Sequence, residues 1–153
     1  MTEYLQERYA PKSSCFGCGP SNRAGLGLRS RPEGEVVVAA WTSEEHHRAF
    51  PGVLCGGIIG TLLDCHSNWT AAYGRMRSTG AEKPGVTVTA EYSVRLLRPT
   101  PVGVEVRLEA RAIEIKGRRV TVEAKIFSEG RVTATCTGLF IAVKDDHPAA
   151  RCW

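Results

Sequence analysis

The chain of 153 residues holds no apolar run approaching the roughly 18 residues that a bilayer-spanning helix needs. Its opening, Met1-Thr2-Glu3-Tyr4-Leu5-Gln6-Glu7-Arg8, has no positive-then-apolar signal pattern, so a cytoplasmic location is expected. Lys and Arg form no cluster interleaved with aromatics, and a net charge of +4 is too weak to call for nucleic acid. That mild positive charge does suit an anionic small molecule bearing phosphates. Internal repeats and low-complexity tracts are also missing. The six cysteines do not read as a disulfide scaffold: Cys65 falls within a helical pattern and Cys136 within a strand pattern, as small buried hydrophobes do in a reducing compartment. Cys15 and Cys18 make a single C-x-x-C. No second pair completes a four-ligand zinc set, and the strand-to-helix context of a thioredoxin motif is missing. Packing of the N-terminal segment is the expected role, with no metal.

What is present suits one domain with one core. Residues 1–34, rich in Gly, Pro, Ser and Arg, read as an irregular lead-in that admits a short strand at Leu26–Arg31. A domain over 35–143 follows, and then a tail, 144–153. Glu35–Trp41 is β-rich. Ile58 to Tyr73 is helical: at 100° per residue Ile58, Leu62, Cys65, Trp69 and Tyr73 share a stripe flanked by Ile59, Leu63 and Ala72. The opposite side, with Gly60, Thr61, Asp64, Ser67, Asn68 and Ala71, is small and polar. The second half alternates with period two. Val86, Val88, Ala90, Tyr92, Val94 and Leu96 are placed on one strand face, and similar runs occupy 104–112, 120–126 and 132–136. Lys116-Gly117 and Glu129-Gly130 sit where hairpin turns are needed. One strand, one long helix and four antiparallel strands make an α+β architecture in which the sheet wraps around the helix.

Three segments resemble the PaaI-like branch of the 4-hydroxybenzoyl-CoA thioesterase superfamily. They are Cys15-Phe16-Gly17-Cys18-Gly19-Pro20 through Asn22 and Gly25-Leu26-Gly27-Leu28, then Pro51-Gly52-Val53-Leu54-Cys55-Gly56-Gly57 through Leu62-Leu63-Asp64, and Val88-Thr89-Ala90-Glu91 through Arg98-Pro99-Thr100-Pro101-Val102-Gly103. The resemblance implies the hotdog fold, a long central helix wrapped by an antiparallel sheet of five to six strands. It also implies hydrolysis of an acyl-CoA thioester, with coenzyme A as part of the substrate and no separate cofactor. Relatives pair the edge of the strand at Val86–Arg98 between subunits, so a homodimer or homotetramer is expected.

On this reading Asp64 is the catalytic carboxylate, acting as general base for water or as nucleophile. Ser67 and Asn68, at i+3 and i+4, can hydrogen-bond to it. The N–H groups of Gly56 and Gly57, at the start of the helix, are the expected oxyanion donors. Thr89 is expected to orient the water, although strict alternation turns it away from the helix unless a bulge or a subunit interface re-aims it. Cys55, which stands where the family carries a histidine, and Asn68 are expected at the substrate. His47, in the loop ahead of Pro51-Gly52, and Arg118 and Arg119, after Lys116-Gly117, are expected at the CoA, the arginines at its phosphates. His66 falls on the apolar side, roughly 160° from Asp64, and reads as a hydrogen-bonded core or interface histidine. Two other functions remain open: a non-catalytic acyl-CoA-binding protein, suggested by Cys55, and an enoyl-CoA hydratase or dehydratase.

Overall fold

The computed structural model describes residues 3–153. A short helix, α1 (Leu5–Tyr9), is followed by β1 (Ser30–Glu33), β2 (Val36–Trp41), a small hairpin of β3 (Arg48–Phe50) and β4 (Val53–Leu54), and the long helix α2 (Gly56–Thr79). Four long strands then follow: β5 (Thr87–Leu96), β6 (Val106–Lys116), β7 (Arg119–Ser128) and β8 (Arg131–Ala142). Six strands form one antiparallel sheet in the order β1-β2-β6-β7-β8-β5, and α2 lies across its concave face. The expected α+β hotdog architecture is therefore present. No described helix is long and apolar enough to cross a membrane.

The core forms where the apolar face of α2 meets the inward residues of the sheet. Ile59, Leu62, Leu63 and Trp69 pack against Leu108, Val120, Val122, Ile126 and Phe140, all nearly or fully buried. At about 25 cal/mol per Å² of apolar surface removed from water, each such side chain contributes roughly 1.5–3 kcal/mol. Glu129 and Gly130, with φ of 51° and 78°, form the two-residue β7–β8 turn, whose backbone twist matches that of the flanking strands.

Three expectations need correction. The helix runs on to Thr79 and stops where Gly80 adopts a left-handed φ of 71° and its N–H donates to the Met76 carbonyl. Gly74, inside that extension, is no stop signal; a Cβ there would lie 3.0 Å from that of Ala112, so glycine lets β6 pass close by. The small side of α2 is not a free polar face either, since Gly60, Ser67 and Ala71 are buried because the sheet curls around the helix. Finally, the strand expected within 26–31 is β1, the four-residue edge partner of β2, so the lead-in supplies part of the sheet.

The lead-in is also tied to α2 by a buried polar chain. Gln6 Nε2 donates to Ser30 Oγ (3.1 Å), the Ser30 hydroxyl donates to His66 Nδ1 (2.8 Å), and His66 Nε2–H donates to the Val37 carbonyl (3.0 Å). The Ser30 amide closes the loop by donating to Gln6 Oε1 at 2.8 Å. Every polar atom of the imidazole is thus used, as a fully buried side chain requires. Burial pushes the His66 pKa down to about 4. His66 is a structural histidine, as its wheel position suggested.

Candidate active site

Asp64 sits two turns into α2, half-buried on the side facing β5. Thr89 Oγ1 donates to its Oδ1 at 2.6 Å. Thr89 reaches the helix because of a bulge: Thr89 pairs with Phe140, but the next regular pair is Glu91 with Leu139, which leaves Ala90 over. An extra residue in one strand reverses which side chains face inward. Before the bulge Thr87 and Thr89 meet α2; after it Tyr92, Val94 and Leu96 do. The single face drawn through Val86, Val88, Ala90, Tyr92, Val94 and Leu96 is therefore two faces joined at Ala90.

Burial raises the Asp64 pKa above the usual carboxylate range; the Thr89 hydroxyl opposes that shift and negative charge at Cys15 reinforces it. A carboxylate held this way is a stronger base than a solvated one. Ser67 and Asn68 do not share Thr89's role. Ser67 Oγ is buried with no hydrogen-bond partner among the described residues, and Asn68 Oδ1 accepts from Thr87 Oγ1 at 2.7 Å. Asn68 instead fixes the start of β5 one helical turn beyond Asp64.

Two further groups at this carboxylate were not legible in the sequence. Burial first, and then the Asp64 charge, raise the pKa of Tyr92, whose ring lies over Gly60. The same pair of causes, in the same order, raises Cys136 to about 11. Gly138, opposite Tyr92 on β8, makes the space: a Cβ there would meet the Phe140 ring at 2.7 Å and Tyr92 Cβ at 3.3 Å. Strand parity without the bulge hides Tyr92 among core residues; Gly138 on the neighbouring strand is the signal that could have marked it.

At the start of α2, Cys55 is the N-cap residue but makes no side-chain cap. Its carbonyl accepts from the amides of Ile58 and Ile59 (3.0 and 3.1 Å), while those of Gly56 and Gly57 have no protein acceptor among the described residues. The two glycines differ. A Cβ on Gly56 would crowd Leu96 Cδ1 at 3.1 Å, whereas one on Gly57 would meet only Cys55 Sγ at 3.7 Å. Packing does not demand glycine at 57; its bare, exposed N–H is what glycine preserves there. Beside it an apolar cavity of about 300 Å³ is lined by Phe50, Leu54, Gly56, Ile59, Leu96 and Leu97.

The remaining expected contacts are scattered. His47 is held near the helix start, where its carbonyl accepts from the Cys55 amide at 2.9 Å. Its Nδ1 accepts from the Glu44 amide at 2.8 Å and its ring packs against Trp41 and His46, so it shapes the loop. Arg118 donates to the Ala142 carbonyl at 3.4 Å, beside the start of β5. Arg119 lies on the outer face of the sheet with Glu91, Ser93 and Thr121, opposite the face that carries Asp64. Within one chain the structure brings together Asp64 and Thr89, but not Arg119 with either. The C-x-x-C, in contrast, does not stand alone: Cys65 of α2 joins Cys15 and Cys18 in one sulfur cluster.

A model of the family described as FlK, fluoroacetyl-CoA-specific thioesterase, matches residues 71–141. That stretch includes Thr89 and begins after the glycine pair and Asp64. A thioesterase superfamily protein from Shewanella loihica PV-4 shares 29% identity at a TM-score of 0.67, over 82% of this chain and 98% of the other. The chain has the hotdog fold of the thioesterase superfamily. Two hotdog structures with lower identity share that fold. The Escherichia coli PaaI protein, from a phenylacetic acid degradation operon, has 15% identity and a TM-score of 0.65, over 78% of this chain and 81% of its own. A Streptococcus mutans protein bound to acetyl-CoA has 19% identity and a TM-score of 0.63, over 76% and 88%. No curated protein matches the chain.

Proposed function

We propose that this hotdog protein is a PaaI-like, cytoplasmic acyl-CoA thioesterase that works as a homo-oligomer, at least a dimer. The observation that carries the reading is the half-buried Asp64 carboxylate with a raised pKa, gripped on one side by Thr89 and still partly exposed beside β5.

Helix geometry bears on how the site is assembled. Seven residues at 1.5 Å rise separate Gly57 from Asp64 by about 10 Å along the axis. That is too far for one thioester carbonyl to meet both in a single chain. Among the described residues the outer edge of β5 pairs with no strand, and an unpaired edge next to exposed Leu96 and Leu97 favours pairing with a second copy. A two-fold across that edge places the start of one α2 near the middle of the other. Asp64 of one subunit then faces Gly57 of its partner, and pantetheine lies along the seam in the apolar cavity.

In this site Asp64 takes a proton from water. The water oxygen attacks the thioester carbonyl carbon while the Gly57 N–H stabilises the oxyanion. The tetrahedral species then collapses with cleavage of the C–S bond. The proton held on Asp64 passes to the departing CoA sulfur, leaving the free acid and CoA. The acetyl-CoA in the Streptococcus mutans relative supports a CoA ester as ligand.

Steady-state CoA release across short, long and aryl acyl-CoAs tests the proposal. The wild-type chain is expected to turn over, and Asp64→Asn to lose about 10²–10⁴ in kcat. Unchanged turnover in that variant would remove Asp64 from the chemistry, and acyl-CoA binding with no hydrolysis in the wild type would establish the binding-protein reading suggested by Cys55.

A further inference from the structure

The N-terminal loop crosses α2 at Cys65, next in sequence to Asp64. There the sulfurs of Cys15, Cys18 and Cys65 all lie within 4.8 Å of one another, with Cys15 and Cys65 3.7 Å apart. We propose that Cys15, Cys18 and Cys65 bind one zinc ion through three thiolates, fastening the N-terminal loop to the helix that carries Asp64.

The spacing fits the ion. Zinc–sulfur bonds of about 2.3 Å at tetrahedral angles put two thiolates about 3.8 Å apart. A disulfide between Cys15 and Cys65 would instead require closure to about 2 Å, with Cys18 left out. The loop is shaped to hold its sulfurs in place. At Gly17 a Cβ would sit 2.3 Å from Cys65 Sγ, and at Gly19 one would sit 2.3 Å from the Cys15 amide nitrogen, so both glycines are needed for this approach. The Gly19 amide donates to the Cys15 carbonyl at 2.8 Å, closing the turn. The amides of Leu26 and Leu28 donate to the carbonyls of Phe16 and Gly17 (2.8 and 3.0 Å), pinning the loop from behind. Cys18 and Cys65 are buried and Cys15 is exposed, so the fourth position opens to solvent at Cys15 and is filled by water. Thiolate donors select a soft ion over magnesium or calcium. Binding releases to solvent the proton of each thiol still protonated, and no atom changes oxidation state. From sequence the C-x-x-C lacks partners because its third ligand is a lone cysteine 47 residues on, on an apolar helix stripe.

The test needs no thioester and stands apart from the catalytic reading. The full chain is purified under reductant and its metal content measured; the metal-free chain is then titrated with cobalt(II). About one zinc per chain is expected, and cobalt is expected to give thiolate charge-transfer and tetrahedral ligand-field bands. Cys15→Ser, at an exposed position, and Cys65→Ala are each expected to weaken binding by more than the about 10–100-fold that follows loss of an outer-shell partner. Cys152→Ser, at the exposed C-terminal tail, is expected to bind as the wild type does. Circular dichroism of Cys15→Ser separates loss of metal from loss of fold. A wild-type chain without the cobalt–thiolate bands overturns the proposal. So do bands that persist in Cys15→Ser, copper in place of zinc, or a Cys15–Cys65 disulfide in the freshly isolated protein.

Discussion

Asp64 and His66 stand two residues apart on one helix, and their surroundings differ in every respect that matters for chemistry. His66 faces β2 and the lead-in, is fully buried, and has both ring nitrogens bonded, to Ser30 and to Val37. Asp64 faces β5, is half-buried, and among the described residues has one protein hydrogen bond, from Thr89. Burial moves both pKa values toward the neutral form, up for the acid and down for the imidazole. A perturbed pKa alone therefore does not mark a site. What separates the two residues is unspent hydrogen-bonding capacity at a partly exposed position: Asp64 can still take a proton from something that approaches it, and His66 cannot.

The sharpest way to break this comparison is to remove the histidine. His66→Ala takes away the buried acceptor of the Ser30 hydroxyl, which keeps only its bond from Gln6, removes the imidazole donor to the Val37 carbonyl and opens a cavity, so a loss of about 3–5 kcal/mol is expected in denaturant unfolding. The kcat of the fraction that remains folded should stay within about twofold of wild type. A collapse of kcat in folded protein would instead make His66 part of the chemistry. Asp64→Asn should behave oppositely. A carboxyl whose pKa is raised on folding ionises at a cost to the native state, so the amide should not reduce stability.

A smaller effect is expected from pH. The His66 imidazole titrates near 6.5 unfolded and at about 4 folded. Between those values the unfolded chain takes up a proton that the native one refuses, so stability falls as pH falls. The slope is about 1.4 kcal/mol per unit, for roughly 3 kcal/mol across the window. Unfolding free energies at several pH values, compared between wild type and His66→Gln, isolate this term. Equal pH dependence in the two proteins would contradict it.

Thr89→Val carries the smallest change. It removes the Thr89 hydrogen bond that favours the Asp64 carboxylate, so the acid limb of kcat/KM should move to higher pH, with a loss of about tenfold or less at neutral pH. An acid limb that stays in place would detach Thr89 from the titration of Asp64.

These contrasts show what sequence can and cannot carry. Asp64 and His66 were separable on a helical wheel because α2 is regular, and the wheel needs only its period. The end of α2 was not legible, because Gly74 serves a close approach to β6 that no local pattern reveals. Strand faces were legible only as far as Ala90, where one extra residue reverses the parity. That reversal turned Thr89 toward the helix and concealed Tyr92. The wheel places Cys65 in the core, where it lies, but records only the direction of a side chain and not that Cys15 and Cys18 fold across it. The outward placement of Arg119 likewise depends on the register of β6 and β7, which follows from their turn and not from the charge of the residue.

The claim on which the functional account depends is that Asp64 of one subunit serves the helix start of the other. Mixing two inactive chains tests it most directly. One chain carries Asp64→Asn; the other carries Gly57→Pro, which deletes the N–H at a position where the first helical turn accepts proline. After the two are unfolded and refolded together, half of the dimers are mixed, and each mixed dimer has one intact site of two. The account expects about a quarter of wild-type CoA release to return. A mixture as inactive as its two parents would show that both groups must come from the same chain, and the account would be wrong.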